Sequence, residues 1–267
     1  MLNTILEKKE LAEKVYFYKI KNNDIAAARK PGQFVIIRLN ESGERIPLTI
    51  VNSNTNEGWF SIVFQVVGKT TALLANLNQG EVILDIAGPL GSPTKTEYHG
   101  NCVMIGGGIG IAALLPIAKA FAQEGNRIVS ILGARSSEFL ILEEEIRKCS
   151  DVVKIVTDNG IYGRKGFVTD ELSDILKKQK IQFVFAVGPV GMMKAVCDIT
   201  KNYNIQTMVS LNPIMIDGTG MCGACRCNIK GETKLACVHG PEFNGHEVDF
   251  ELLIQRLKMF KDKEKHA

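Results

Sequence analysis

The chain has 267 residues, 45% of them hydrophobic and 23% charged, with a formal net charge of +3. Such a chain can fold into two domains and an appendage. Its weak net charge and lack of a dense basic stripe give no case for nucleic-acid binding.

No apolar run approaches the ~18 residues expected of a membrane helix. Glu7, Lys8, Lys9 and Glu10 leave no room for a signal-peptide core. The expectation is a cytoplasmic protein with no membrane partner. Residues 1–98 read as a β-rich domain, with strands expected at 15–20, 34–39, 47–51, 59–67 and 82–86 and a short helix at 71–77. Turn signals at 30–32, 41–43, 52–58 and 88–91 separate them. Short strands punctuated in this way predict an antiparallel barrel.

The texture changes near Gly100. Strands are expected at 103–105, 128–132, 152–157, 183–187 and 205–209, and helices at 111–123, 139–148, 170–177 and 190–202. Strands and helices in alternation predict an α/β domain over 99–209, with a parallel sheet covered on both faces. A Gly/Cys-rich stretch follows within a third segment, 210–267, which should end in a helix at 250–260 and a charged tail at 261–267.

Several stretches carry chemistry. Gly108-x-Gly110-x-x-Ala113 lies between a strand and a helix, where backbone N–H groups can meet a pyrophosphate. The acidic residue usual after the second strand is missing, and Gly133-Ala134-Arg135-Ser136-Ser137 stands there. Arg135 and the serines suit a 2′-phosphate, or they form a solvated loop; NAD and NADP both remain open. Gly188-Pro189-Val190-Gly191-Met192 sits at the C-terminal end of another parallel strand, the edge where such sheets bind ligands. It reads equally well as a helix start with Pro189 near the first turn. In the barrel, Arg45-Ile46-Pro47-Leu48-Thr49, Val63-Phe64-Gln65 and Gly68-Lys69-Thr70-Thr71 offer a strand pair and a helix N-terminus to a phosphate.

The seven cysteines divide into two groups. Cys102 and Cys197 read as buried free thiols, and Cys149, among charges, as incidental. Cys222, Cys225, Cys227 and Cys237 fall in one stretch with Gly218, Gly220 and Gly223. The spacing and the glycines favour a [2Fe–2S] cluster. The rival is zinc held by Cys222, Cys225, Cys237 and His239. No acid–base dyad or nucleophile motif is present, so no catalytic side chain is assigned.

Together these stretches resemble the ferredoxin–NADP reductase superfamily. Within it they resemble the electron-transfer subunits of dihydroorotate dehydrogenase B and, more closely, the small subunits of NADH-dependent reduced ferredoxin:NADP⁺ oxidoreductases. The likeness runs from Pro31-Gly32-Gln33-Phe34 to Asp249 and is most specific at Asp217-Gly218-Thr219-Gly220-Met221-Cys222-Gly223-Ala224-Cys225-Arg226 and Gly240-Pro241-Glu242-Phe243. It implies three parts: an FAD-binding barrel, an NAD-binding α/β domain and a small C-terminal [2Fe–2S] loop domain.

The resemblance places Pro47, Leu48 and Thr49 along the flavin, Val63, Phe64 and Gln65 beside it, and Gly68, Thr70 and Thr71 at the pyrophosphate. The arginine usual three residues before the Ser/Thr is Ile46 here, which leaves Arg45 as the nearest charge. Gly108, Gly110 and Arg135, with Gly188, Pro189 and Met192 toward the nicotinamide, would hold NAD(H). Asp217, Cys222, Cys225 and Cys237 would hold the cluster, with Cys227 as a spare thiol able to replace Asp217. The implied partner is a larger subunit with its own flavin and [4Fe–4S] clusters, which binds NADP(H) and ferredoxin. The rival functions are an orotate-forming electron-transfer subunit, against which Asp217 argues, and a zinc-stabilised nucleotide-binding regulator.

Overall fold

A computed structural model describes residues 1–259; the expected end of the last helix at Phe260 and the tail 261–267 lie outside the described residues. The chain divides into two compact units. One holds residues 1–93, 212–241 and the chain from 249 onward; the other holds 94–211 and 242–248.

The first unit opens with β1 (Ile5–Ala12), β2 (Val15–Lys21), α1 (Asn23–Ala28), β3 (Phe34–Arg38), β4 (Arg45–Asn54), β5 (Trp59–Gln65), α2 (Lys69–Asn76) and β6 (Asp85–Leu90). The strands form one antiparallel sheet in the order β1-β2-β5-β4-β3-β6. Backbone hydrogen bonds between residues 3–5 and 80–83 join its two ends, so the sheet closes into a barrel. Ile5, Tyr18, Ile20, Ile37, Ile50, Phe60, Ile62, Phe64 and Leu74 fill it. Each large apolar side chain buried there contributes about 1.5–3 kcal/mol. Tyr18 sets its ring edge-on to Phe64 at 5.2 Å and donates its hydroxyl to the carbonyls of Leu74 and Leu77, so its buried polar tip is satisfied.

Two expectations need correction here. β1 is not among the expected strands, because Glu7 to Glu10 look like a solvated segment. It is a terminal strand of the sheet, and Lys8 spends its ammonium on the Ala75 and Leu77 carbonyls. The turn expected at 88–91 lies largely inside β6, also terminal in the sheet order, where proline is tolerated.

The second unit contains β7 (Asn101–Gly107), α3 (Gly110–Gln123), β8 (Arg127–Ala134), α4 (Glu143–Arg147), β9 (Val152–Thr157), β10 (Arg164–Lys165), α5 (Val168–Lys178), β11 (Phe183–Val187), α6 (Val190–Asn202) and β12 (Gln206–Ser210). The helix expected at 139–148 shortens to α4 behind a 3₁₀ turn at Ser137–Phe139, because Leu142 takes a left-handed φ of 54° between them.

The remaining elements are β13 (Arg226–Ile229), β14 (Glu232–Leu235), α7 (Ala236–His239), β15 (Glu242–Asn244) and α8 (Phe250–Lys258). β13 and β14 form a hairpin in the barrel unit. β15 adds antiparallel to β12 and ends the sheet order β10-β9-β8-β7-β11-β12-β15. The C-terminal stretch is thus shared between the two units. Among the described residues no helix is long and apolar enough to cross a membrane.

Candidate cofactor sites

In the parallel sheet β7 lies between β8 and β11, so the connections after it run out in opposite directions. The carboxyl ends of these strands form the switch-point crevice where open α/β sheets bind ligands. Gly106 pairs with Val187, and the two glycine motifs meet there. A methyl group on Gly110 would stand 2.5 Å from the Val187 carbonyl oxygen and 2.8 Å from Gly188 Cα. One on Gly107 would stand 2.5 Å from Met192 Sδ and 3.0 Å from Pro189 Cδ. Gly108 takes a φ of 54°, and its N–H donates to the Gly133 carbonyl at 2.8 Å. Pro189 is the N-cap of α6 and Ile109 the N-cap of α3, where the Ile111 and Ala112 N–H groups donate to the Gly108 and Ile109 carbonyls at 3.1 Å and tighten the first turn.

Arg135 is exposed, its guanidinium 5.6 Å from the Phe139 ring centre. Ser136 Oγ donates to Glu138 Oε1 at 2.8 Å. Glu138, in the 3₁₀ turn, is the first acidic side chain after β8, and it is exposed.

In the barrel, Pro47, Leu48 and Thr49 lie half-buried on β4, opposite Ile36, Val35 and Phe34 of β3. Val63, Phe64 and Gln65 end β5, with Phe64 committed to the core against Tyr18, so only its backbone is available to a ligand. Thr71 Oγ1 accepts from the N–H groups of Val67 and Gly68 at 3.0 and 3.1 Å. This bond arrangement leaves the N–H groups of residues 69–71 at the open end of α2. A methyl group on Gly68 would meet no atom within 4 Å, an open cradle that suits a phosphate. Thr70 donates to Glu44, and Arg45 is exposed at the start of β4.

The cysteine loop belongs to the same unit as the barrel. Asp217 begins it: one carboxylate oxygen accepts from the N–H groups of Thr219 at 2.9 Å and Gly220 at 3.3 Å, the other from Cys222 at 2.7 Å. Partial burial pushes this carboxyl up, but the three N–H groups outweigh it and hold the group below the usual carboxylate range. Cys222 is exposed, and its sulfur accepts from the Ala224 N–H at 3.4 Å. Cys225 and Cys237 are buried with their sulfurs 3.2 Å apart, and the Cys237 N–H points at Cys225 Sγ at 3.5 Å. Gly218, Gly220 and Gly223 take φ of 76°, 90° and 65°, which lets the backbone curl around this space.

The donors therefore form an outer pair, Asp217 and Cys222, and a buried inner pair, Cys225 and Cys237. Among the described residues no three His, Cys, Asp or Glu side chains converge as one metal ion requires. Four donors divided into two pairs fit two irons better than a single tetrahedral zinc. His239, the fourth ligand of the zinc alternative, is engaged elsewhere: its Nδ1 accepts from the Leu235 N–H at 3.0 Å. Cys227 is buried, with its sulfur 3.6 Å from the Cys225 carbonyl oxygen; burial pushes its thiol up to about 11, against the pull of Arg256. Cys102 and Cys197 are buried thiols, both pushed up to about 12 by burial.

Gly218 ties the loop to the barrel. A methyl group there would stand 2.6 Å from Leu90 Cδ1 and 2.8 Å from Ile36 Cγ1, and Ile36 is the cross-strand partner of Pro47. Ser92 makes a second tie, donating its N–H to the Gly240 carbonyl and its hydroxyl to the Val238 carbonyl.

Residues 212–249 match the iron–sulfur cluster binding domain of dihydroorotate dehydrogenase B, and residues 104–198 match the oxidoreductase NAD-binding domain. A Thermotoga maritima protein described as a dihydroorotate dehydrogenase B (NAD(+)) electron transfer subunit homolog is 47% identical, covering 99% of this chain and 93% of its own length. The corresponding electron transfer subunit of Fusobacterium nucleatum is 32% identical over 93% of this chain and 98% of its own. Among solved structures, a chain from an NADH-dependent reduced ferredoxin-NADP oxidoreductase, studied for flavin-based electron bifurcation, superposes with a TM-score of 0.95. It is 46% identical, over 100% of this chain and 96% of that one. Phthalate dioxygenase reductase, at 18% identity, a TM-score of 0.59 and 85% coverage of each chain, shares the fold.

Proposed function

We propose that this chain, which belongs to the family of dihydroorotate dehydrogenase B electron transfer subunits and their homologues, is an oxidoreductase subunit that passes electrons between NAD(H) and a partner protein. FAD would exchange hydride with the nicotinamide, and a [2Fe–2S] cluster would relay single electrons. The protein supplies placement. Gly108 and Gly110 would let the dinucleotide backbone approach α3, and Met192, which lies over Gly107 and Gly188, would face the nicotinamide. Pro47, Leu48 and Thr49 would line the flavin, with the open end of α2 from Gly68 to Thr71 at its pyrophosphate.

One observation carries the relay reading: Gly218 packs on Ile36, the strand partner of Pro47. The first cluster donor, Asp217, is thereby one residue from a contact with the strand pair assigned to the flavin. The reading extends to electron bifurcation with a larger flavin and [4Fe–4S] subunit that binds NADP(H) and ferredoxin, supported by the 46% identity to a chain of such an oxidoreductase. The names of the relatives favour a second reading, an orotate-forming partner; Asp217 in place of a cysteine weighs against it.

Anaerobic purification with the native partner tests both. The expected product is yellow-brown, with FAD and equal amounts of iron and acid-labile sulfide. Zinc without sulfide would sink the relay reading, and co-purification of an orotate-forming subunit would select the second.

A further inference from the structure

The C-terminal helix reaches the cluster loop. The Asp249 N–H donates to the Asn228 carbonyl on β13 at 3.0 Å, and Asp249 Oδ1 caps the Leu252 N–H at 2.9 Å. Phe250 and Leu253 are buried beneath α8. Arg256 follows Leu253 by three residues, so both share one helix face. Its Nη2 donates to the Ala224 carbonyl at 3.0 Å. Ala224 stands between Cys222 and Cys225, and its own N–H points at Cys222 Sγ. Pro213, Ile214, Ala224, Leu253, Arg256 and Leu257 line one groove, so the helix also meets the stretch of chain that leads into Asp217.

The geometry points to Arg256 as a positioning residue for the cluster: its guanidinium pins the carbonyl of the Ala224–Cys225 peptide, next along the chain from the N–H that points at Cys222 Sγ, while placing a fixed positive charge beside the ligand loop. This assignment rests on the relay reading above. Cys222 is exposed, so loss of the clamp should loosen this ligand first. Reduction adds negative charge to the cluster, and a nearby cation favours that state. The same residue should therefore affect both retention and potential.

The test uses the full-length chain, purified anaerobically, as the unmodified protein and as Arg256→Gln, Arg256→Lys and Lys258→Gln. Lys258 is exposed on the same helix and controls for charge alone. Two quantities are read: the reduction midpoint by redox titration with electron paramagnetic resonance, and the rate of iron release to a ferrous chelator. Arg256→Gln should shift the one-electron equilibrium about threefold to tenfold toward the oxidised cluster, about 30–60 mV at 59 mV per tenfold. It should also release iron at least threefold faster.

Arg256→Lys keeps the charge and loses the fixed fork, so its equilibrium should stay within about twofold while iron release still accelerates. Lys258→Gln should change neither. An unmodified chain without iron and sulfide overturns the relay reading itself. A loaded chain in which Arg256→Gln matches the unmodified protein, or in which Lys258→Gln shifts the midpoint as far, overturns the Arg256 assignment alone. Should Arg256→Gln prove insoluble, unchanged iron release in Arg256→Lys overturns it equally.

Discussion

A single methyl group separates two kinds of glycine in this chain. At Gly110 it would meet the Val187 carbonyl oxygen at 2.5 Å, a backbone atom that cannot swing aside; at Gly68 it would meet nothing within 4 Å, and the φ of −162° there suits any residue. Gly110→Ala should therefore cost about 1–3 kcal/mol of stability and weaken NADH binding at least tenfold, read by thermal melting and by fluorescence titration. Gly68→Ala should leave the flavin-free protein within about 0.5 kcal/mol and still lower FAD retention, because the methyl group enters the space assigned to the pyrophosphate. Unchanged FAD affinity in Gly68→Ala would remove Gly68 from the site. Glu242 makes a prediction of a different kind. Burial pushes its carboxyl up to about 7, although the Thr94 hydroxyl, 2.6 Å from Oε1, pulls the other way. The folded state thus prefers the neutral acid. Stability from this group is complete below the unfolded value of about 4.3, is lost as the pH rises through 7, and is constant above that, where both states carry the charge. The loss should be about 1–3 kcal/mol between about pH 4.5 and 8. Glu242→Gln, which keeps an acceptor for Thr94, should flatten that decline in urea melts at a series of pH values.

Among the elements, α2 shows how a cap serves a site. Thr71 Oγ1 accepts the N–H groups of Val67 and Gly68 and donates to the Gly68 carbonyl at 2.9 Å, so one hydroxyl shapes the turn before the helix. Thr71→Val should strand both N–H groups, cost about 1–2 kcal/mol and release FAD more readily, while Thr71→Ser should behave as the unmodified protein. Elements of this sort are legible where periodicity and punctuation agree. β9, β11 and α6 have the predicted bounds, because apolar runs flanked by turn residues leave little choice. β1 is not legible, since Lys8, Lys9 and Glu10 mask an alternation that only pairing with β2 reveals. The β13–β14 hairpin is hidden for a related reason: Cys227 and Ile229 face inward, but Lys230-Gly231 and Glu232 read as more of the same polar loop. Arg256 has no signature either, being a lone arginine on an amphipathic helix. Its meaning lies in Ala224, 32 residues earlier in the chain.

At the scale of the whole molecule, the two glycine motifs, 80 residues apart at Gly108 and Gly188, come together because a parallel sheet with its switch point at β7 brings the ends of β7 and β11 side by side. Each motif can be read alone; their convergence requires the strand order. The assigned ligands also divide by unit. All four proposed cluster donors and the strands proposed to line the flavin lie in the barrel unit, and both glycine motifs proposed for the dinucleotide lie in the parallel-sheet unit. Hydrogen exchange should reflect this division. Anaerobic removal of the cluster should raise exchange at residues 217–237, where the loop N–H groups of Thr219, Gly220, Cys222 and Ala224 have only carboxylate or sulfur acceptors. It should leave the core of β7, β8 and β11 unchanged. NADH, in contrast, should slow exchange at 106–112 and 187–193 whether or not the cluster is present. A ligand binds only where it finds donors, and local opening is suppressed by the bonds it adds there. Protection by NADH that disappeared along with the cluster would contradict this assignment of ligands to separate units, whereas two independent footprints would fit a chain that binds the hydride donor on one unit and relays single electrons from the other.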